Sequence, residues 1–258
     1  MLADAHTHID QYPQDEIPAV LERAKNVGVE FVVSAGTTLE SSGQCVALAQ
    51  KHEMVFAGVG LHPMDLTAPV DGAMYQALKD LAVSSPKVVC VSEIGLDYLP
   101  TSPDHKLQDQ ALREQIRLAK ELRLPIIFHS RESNEAIFKV LEEEKAGEFG
   151  GAMHYFHWDL ETAKKVMGLG FYISLPKLLL SMPVLQEAAQ KIPIENIVLE
   201  TDSFPQPYKK NRANWTEPRH LKDIAQKLAE LKGIDVEEVA YKTTGNLKSL
   251  LKLPLAKI

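Results

Sequence analysis

Val88-Val89-Cys90-Val91-Ser92-Glu93-Ile94 is a short apolar run broken by one carboxylate near its end. Its length and β-branched content predict a strand, and its lack of apolar/polar alternation predicts burial on both faces. A carboxylate at the end of such a run is tolerated only if it is paired or bound to a cation. Further along, Leu112, Ile116, Ala119 and Leu122 recur at helical spacing, with Arg113, Glu114, Lys120 and Glu121 on the outer face. Another short apolar run, Pro125–His129, follows. The unit reads as strand, amphipathic helix, strand, a connection that sets the two strands parallel.

The same alternation extends in both directions. Further strands are predicted at Leu2–His8, Glu30–Ala35, Met54–Gly60, Gly151–Tyr155, Phe171–Leu175 and Asn196–Thr201, eight in all. Leu221, Ile224, Ala225, Leu228 and Leu231 mark another amphipathic helix near the end. Strict β-then-α order with eight strands favours a closed ring over an open doubly wound sheet. The expected fold is therefore α/β, a (β/α)8 TIM barrel, with residues 1–258 forming a single domain. The aperiodic segment Pro205–Pro218, rich in Pro, Asn and Lys, reads as a large loop after the eighth strand.

The 258 residues are 45% hydrophobic and carry 28 basic against 35 acidic side chains, a net charge of −7. Bulk attraction to a polyanion is absent, so any nucleic-acid contact must be local or made through cations. Cys45 and Cys90, the two cysteines, show no paired spacing, which argues against a disulfide framework and for a reducing cytoplasm. No stretch has the length of a membrane helix, and the N-terminus lacks the basic region and cleavage site of a signal peptide. Nothing in the sequence calls for an obligate protein partner.

Chemistry-bearing residues gather where the strands end. The first strand closes on Asp4-Ala5-His6-Thr7-His8, and side chains two apart share a face of a strand. The fourth supplies Glu93, the fifth His129-Ser130-Arg131, the sixth His154 and the eighth Glu200-Thr201-Asp202. Taken singly, each is an ordinary strand-end polar residue. Five strand ends of one barrel converging on His, Glu and Asp point to a site at its C-terminal rim. Four histidines and two carboxylates (His6, His8, Glu93, His129, His154, Asp202) suit zinc, manganese, iron, cobalt or nickel. Magnesium is less favoured because it takes fewer imidazoles. Six ligands exceed the need of one tetrahedral ion and match two divalent metal ions sharing a bridging carboxylate.

With these residues stand Gly60-Leu61-His62-Pro63, Glu93-Ile94-Gly95-Leu96-Asp97-Tyr98, His154 with Phe156, Glu200-Thr201-Asp202-Ser203, Glu217-Pro218 and Gly245-Asn246-Leu247. Together they resemble the TatD-like metal-dependent hydrolases of the amidohydrolase superfamily, over the whole chain. The Glu-Ile-Gly-Leu-Asp-Tyr and Glu-Thr-Asp-Ser segments are the specific ones. The resemblance implies that His6, His8 and Asp202 hold one ion, His129 and His154 the other, and that Glu93 bridges them. It implies a phosphodiesterase or deoxyribonuclease that removes nucleotides from the 3′ end of DNA, single-stranded ends preferred. Glu93 and Asp202 are then the catalytic carboxylates, Asp202 taking a proton from the attacking water.

The chain departs from the family at two places. Tyr155-Phe156-His157-Trp158-Asp159 replaces Cys-Phe-Ser-Gly, and Trp215-Thr216-Glu217-Pro218 replaces Arg-Asn-Glu-Pro. His157 and Trp158 read either as a platform for a base or as a lid packed on its own loop. His62 reads as a phosphate or leaving-group contact or as a histidine fixing its loop. Arg131 reads as a phosphate clamp or as a salt bridge orienting Glu93 or Asp97. Two rival functions stay open: an ester or amide hydrolase such as a D-aminoacyl-tRNA deacylase, and a noncatalytic nucleic-acid-binding barrel.

Overall fold

Each of the eight apolar runs forms a strand in the computed structural model, which describes residues 1–254. The last four residues of the expected single domain lie outside the described ones. The strands are β1 (Leu2–Thr7), β2 (Val29–Ala35), β3 (Val55–Val59), β4 (Val88–Asp97), β5 (Ile126–Arg131), β6 (Gly151–Met153), β7 (Tyr172–Leu175) and β8 (Ile197–Leu199). They form one parallel sheet in chain order, β1 to β8. The ring is completed at the rim beyond β8, where Asp202 N–H donates to the His6 carbonyl (3.0 Å) and His8 N–H donates to that of Ser203 (2.8 Å).

Helices α1 (Ile17–Asn26), α2 (Leu39–Lys51), α3 (Gly72–Val83), α4 (His105–Leu122), α5 (Asn134–Glu143), α6 (Leu160–Gly168), α7 (Pro183–Lys191) and α8 (Leu221–Lys232) follow the strands in alternation, and α9 (Val236–Leu250) ends the fold. One buried cluster joins Ala3, Val33, Val89, Ile127, Ala152 and Val198 of strands around the ring with Leu247 and Leu250 of α9. That membership fills the barrel interior, as the architecture requires. A larger cluster packs the strands against the helices, through residues such as Val32, Val91, Leu112, Ile116 and Ile224. No helix among the described residues is long and apolar enough to cross a membrane. Cys45 and Cys90 are buried free thiols.

Three strand boundaries differ from the sequence reading in ways that matter for the site. β4 continues three residues past Ile94, so Glu93 lies within the strand instead of at its end. Gly95 conceals this, because a glycine in an apolar run reads as a stop. Its φ is +152°, and a Cβ there would fall 2.0 Å from the His129 carbonyl oxygen. Only glycine lets β4 and β5 approach so closely. The β4–β5 register also shifts between Val91 and Ile94, and such an irregularity re-aims the side chain it carries, here Glu93. Conversely, β6 and β8 stop two residues early, and Tyr155 (φ 51°) and Asp202 (φ 47°) turn the chain through the left-handed region. Non-glycine residues held there are strained, and such strain concentrates at functional sites.

Candidate metal centre

Glu93 is the hub of the rim. It is 4% exposed, and its two carboxylate oxygens face different histidines. Oε2 lies 3.3 Å from His6 Nε2 and 3.6 Å from His8 Nε2. Oε1 lies 3.2 Å from His129 Nδ1 and 3.5 Å from both His62 Nε2 and His154 Nε2. Asp202 Oδ1 adds a contact to His8 Nε2 at 3.4 Å. Three overlapping groups have donor atoms close enough to share a cation: His6/His8/Glu93, His6/His154/Asp202 and His62/Glu93/His129. All six residues of the expected ligand set thus meet in one place.

Partners on the far side of each ring fix which nitrogen carries the proton. His8 Nδ1 lies 3.1 Å from the Ala35 carbonyl, which can only accept, so in the neutral ring Nδ1 is the N–H and Nε2 offers its lone pair inward. His154 Nδ1 lies 3.0 Å from Glu200, and His129 Nε2 lies 3.0 Å from Asp97 Oδ2. With Glu200 and Asp97 ionised, both rings in their neutral form turn the unprotonated nitrogen toward Glu93, the carboxylate–histidine arrangement typical of metal sites. His62 differs. Its Nδ1 accepts from the Met64 N–H at 3.2 Å, so the proton of the neutral ring sits on Nε2. It faces the cluster as a donor, although distance alone would group it with ligands.

The electrostatics follow from burial and these neighbours. Burial works against the charge of Glu93, yet His62, His154, His129 and His6 hold its pKa well below the carboxylate range. Burial opposes ionisation of Asp202 as well, and the bond to His8 together with the charges of His154, His8 and His6 outweighs it, bringing the pKa to about 2. His8 and His129 are each pushed up to about 9: burial lowers both, and Asp202 acting on His8 and Asp97 and Glu93 acting on His129 raise them further. A cation would compete with those protons. His6 and His154 are lowered, chiefly by burial. Burial raises Glu200 to about 8; it is fully enclosed between Ser174, His154 and the Tyr155 N–H.

His6 supplies the test of whether a cation suits this cage. It is fully buried, and neither ring nitrogen has a hydrogen-bond partner among the described residues. Its Nε2 approaches Glu93 without hydrogen-bond geometry. A buried polar group left so is costly, and a cation between His6 and Glu93 would satisfy both. The donor set, imidazole and carboxylate without thiolate, fits a divalent transition ion.

Around the cage, Arg131 places Nε at 2.7 Å and Nη2 at 2.6 Å from Asp97 Oδ2. It occupies the salt-bridge position, on Asp97 and not on Glu93. His157 and Trp158 stack at 3.8 Å, with His157 Nδ1 2.9 Å from the Tyr155 carbonyl. His105 stacks on Tyr98 at 3.7 Å. Asp4 was not singled out by sequence. It is buried and receives the Thr201 N–H (2.9 Å) and hydroxyl (2.6 Å), tying the end of β8 to β1. The loop cation Arg212 is bound to Glu16 and Glu217 and lies 4.2 Å over the Trp215 ring.

A family model described as TatD related DNase matches residues 3–252. The chain is 34% identical over 260 residues to YabD of Bacillus subtilis (strain 168), an uncharacterized metal-dependent hydrolase, covering 98% of this chain and all (100%) of that one. It is 31% identical over 265 residues to the deoxyribonuclease TATDN3 of Homo sapiens, covering 96% and 94% of the two chains. Its structure superposes on that of YjjV, a TatD homologue from Escherichia coli K12, with a TM-score of 0.87 at 27% identity over 98% of each chain.

Proposed function

Because the chain belongs to the TatD-related DNase family and is a metal-dependent hydrolase, we propose that it cleaves phosphodiester bonds at DNA ends, removing nucleotides from the 3′ end of single strands. Two divalent ions per chain and a cytoplasmic setting are part of this reading. The observation that carries it is the divided environment of Glu93, one oxygen facing His6 and His8 and the other facing His129, His154 and His62. A carboxylate so placed would serve two cations at once. The deoxyribonuclease TATDN3 among the relatives supports the choice of substrate.

His6, His8 and Asp202 would hold one ion and His129 and His154 the other, with Glu93 common to both. Zinc, manganese, iron, cobalt and nickel suit these donors, and magnesium is the weaker candidate. When bound, such ions supply positive charge for a phosphoryl oxygen and a water of lowered pKa. Asp202 is ionised at neutral pH and takes a proton at its carboxylate. Glu200 and Asp97 hold the His154 and His129 rings in one tautomer. His62 offers its Nε2–H to a phosphate oxygen or to the leaving group. An unpaired end leaves its terminal base free to meet the stacked rings of His157 and Trp158.

The test is metal analysis of the purified protein followed by parallel assays on single-stranded DNA and D-aminoacyl-tRNA. Release of single nucleotides from the 3′ end, abolished by chelator and restored by a divalent ion, is the expected result. Deacylation of the tRNA with intact DNA would transfer the same site to acyl chemistry. Binding of DNA without cleavage in the metal-loaded protein would make the barrel a noncatalytic one.

A further inference from the structure

Beside the cage lies a second feature: a cavity of about 620 Å³ built from the loops after β4, β5 and β6. Glu93 and His129 lie on β4 and β5, and His154 directly follows β6, so the cavity opens from the same rim. Tyr98 enters it directly after Asp97, Asn134 three residues after Arg131, and His157 three residues after His154. Topology sets the β4 and β6 loops on either side of the β5 loop.

Its aromatic walls are rigid. Tyr98 is backed by His105, with ring centroids 3.7 Å apart and planes 8° from parallel. Trp158 is backed by His157 at 3.8 Å, and His157 is itself held by the Tyr155 carbonyl. Between the two walls the β5 loop is fixed from below: the Ser133 hydroxyl donates to the Leu96 carbonyl (2.9 Å), and the Ser130 hydroxyl donates to Asn134 Oδ1 (2.9 Å). Asn134 thereby keeps its amino group to donate. The charged residues at the edge are Glu132 and Glu135 against Lys139. Two carboxylates to one ammonium repel a phosphate, while a flat uncharged ring with hydrogen-bonding edges meets aromatic faces, an amide donor and carboxylate acceptors.

We infer that this cavity is a nucleobase subsite, which seats the base of the terminal nucleotide while its ester lies at the Glu93 cage. The assignment rests on the DNA-hydrolysis reading above and adds the group by which the end is held. It also gives the stacked His157-Trp158 pair a specific use.

Two measurements test it, one of them independent of hydrolysis. Trp158 and Trp215 are the two tryptophans of the chain, so fluorescence reports the cavity wall. Deoxyadenosine and deoxycytidine should quench saturably in protein without added metal, and 2-deoxyribose should not. Trp158→Phe, which leaves Trp215 as emitter, should lose the response. In metal-loaded protein, kcat/KM for a single strand ending in an ordinary nucleotide should exceed that for one ending in an abasic residue. The expected ratio is roughly 5- to 150-fold, the range for one base on one aromatic ring, and Trp158→Ala should collapse it toward one. A ratio unchanged in Trp158→Ala, or an absence of saturable quenching, overturns the subsite even where DNA is cleaved. Saturable quenching without cleavage of any DNA upholds the subsite and removes the nuclease reading instead.

Discussion

Replacing Glu93 by glutamine keeps the shape of the side chain and removes its charge. An amide presents one acceptor and one donor where the carboxylate presents two acceptors. Whichever way it flips, its NH2 group faces either His6 and His8 or the His129–His154 side, across the 3.2–3.6 Å gaps now spanned by the carboxylate. Removing one partner from a buried charged cluster costs about 3–5 kcal/mol, which corresponds to a factor of roughly 10² to 10³ or more in affinity at about 1.4 kcal/mol per decade. Both ions of the proposed pair should weaken together, because both would share the same carboxylate. Metal content is measured after dialysis against graded concentrations of a weak chelator, beside wild type. Loss of one ion, with the second held as tightly as before, would show that Glu93 does not bridge.

Asp202→Asn should keep the fold and much of the metal while losing at least about a hundredfold in turnover, the scale of a positioned proton acceptor; near-normal rate on DNA would remove that role. Gly95→Ala should cost about 2–4 kcal/mol in chemical denaturation, since its Cβ would meet the His129 carbonyl at 2.0 Å, and an unchanged midpoint would contradict the close β4–β5 approach. Glu217→Gln should destabilise by about 1–3 kcal/mol, less than a fully buried pair because its arginine partners are partly exposed. Arg23 (2.8 Å), Arg212 (2.7 Å) and Arg219 (3.2 Å) surround this carboxylate. Burial alone would raise its pKa, and the arginines hold it below the usual value. A depressed carboxylate stabilises above its unfolded pKa of about 4.3 and loses that stabilisation as pH falls through the folded value. The gap between wild type and Glu217→Gln should therefore narrow below about pH 4, read by thermal melts across pH; a gap independent of pH would exclude the charge as its cause.

The barrel was legible in the sequence because parallel buried strands write themselves as β-branched apolar runs, and all eight were found. Their ends were less legible. Gly95 hid the last three residues of β4, since its role is a close approach between chains that no local pattern records. Ligand residues were readable as types at strand ends, and the six expected ones do converge. What pattern could not show is orientation. The tautomer of His62 depends on the backbone N–H of Met64, and that of His129 on a carboxylate from a neighbouring strand. Arg131 has equal reasons in sequence to meet phosphate or carboxylate, and only the fold sets it against Asp97. Asp4 and Glu200 look alike on paper as buried acids, whereas one ties β8 to β1 and the other steadies an imidazole.

The seam between His6–His8 and Asp202–Ser203 carries a consequence for the making of the protein. The hydrogen bonds that shut the ring also bring the first two histidines to the last carboxylate of the cage, across about three quarters of the chain. Contacts so distant in sequence form late, after the intervening loop entropy has been overcome. A chain still emerging from synthesis, or cut before Asp202, therefore offers an incomplete cage, and hydrolytic power arrives only with the finished ring.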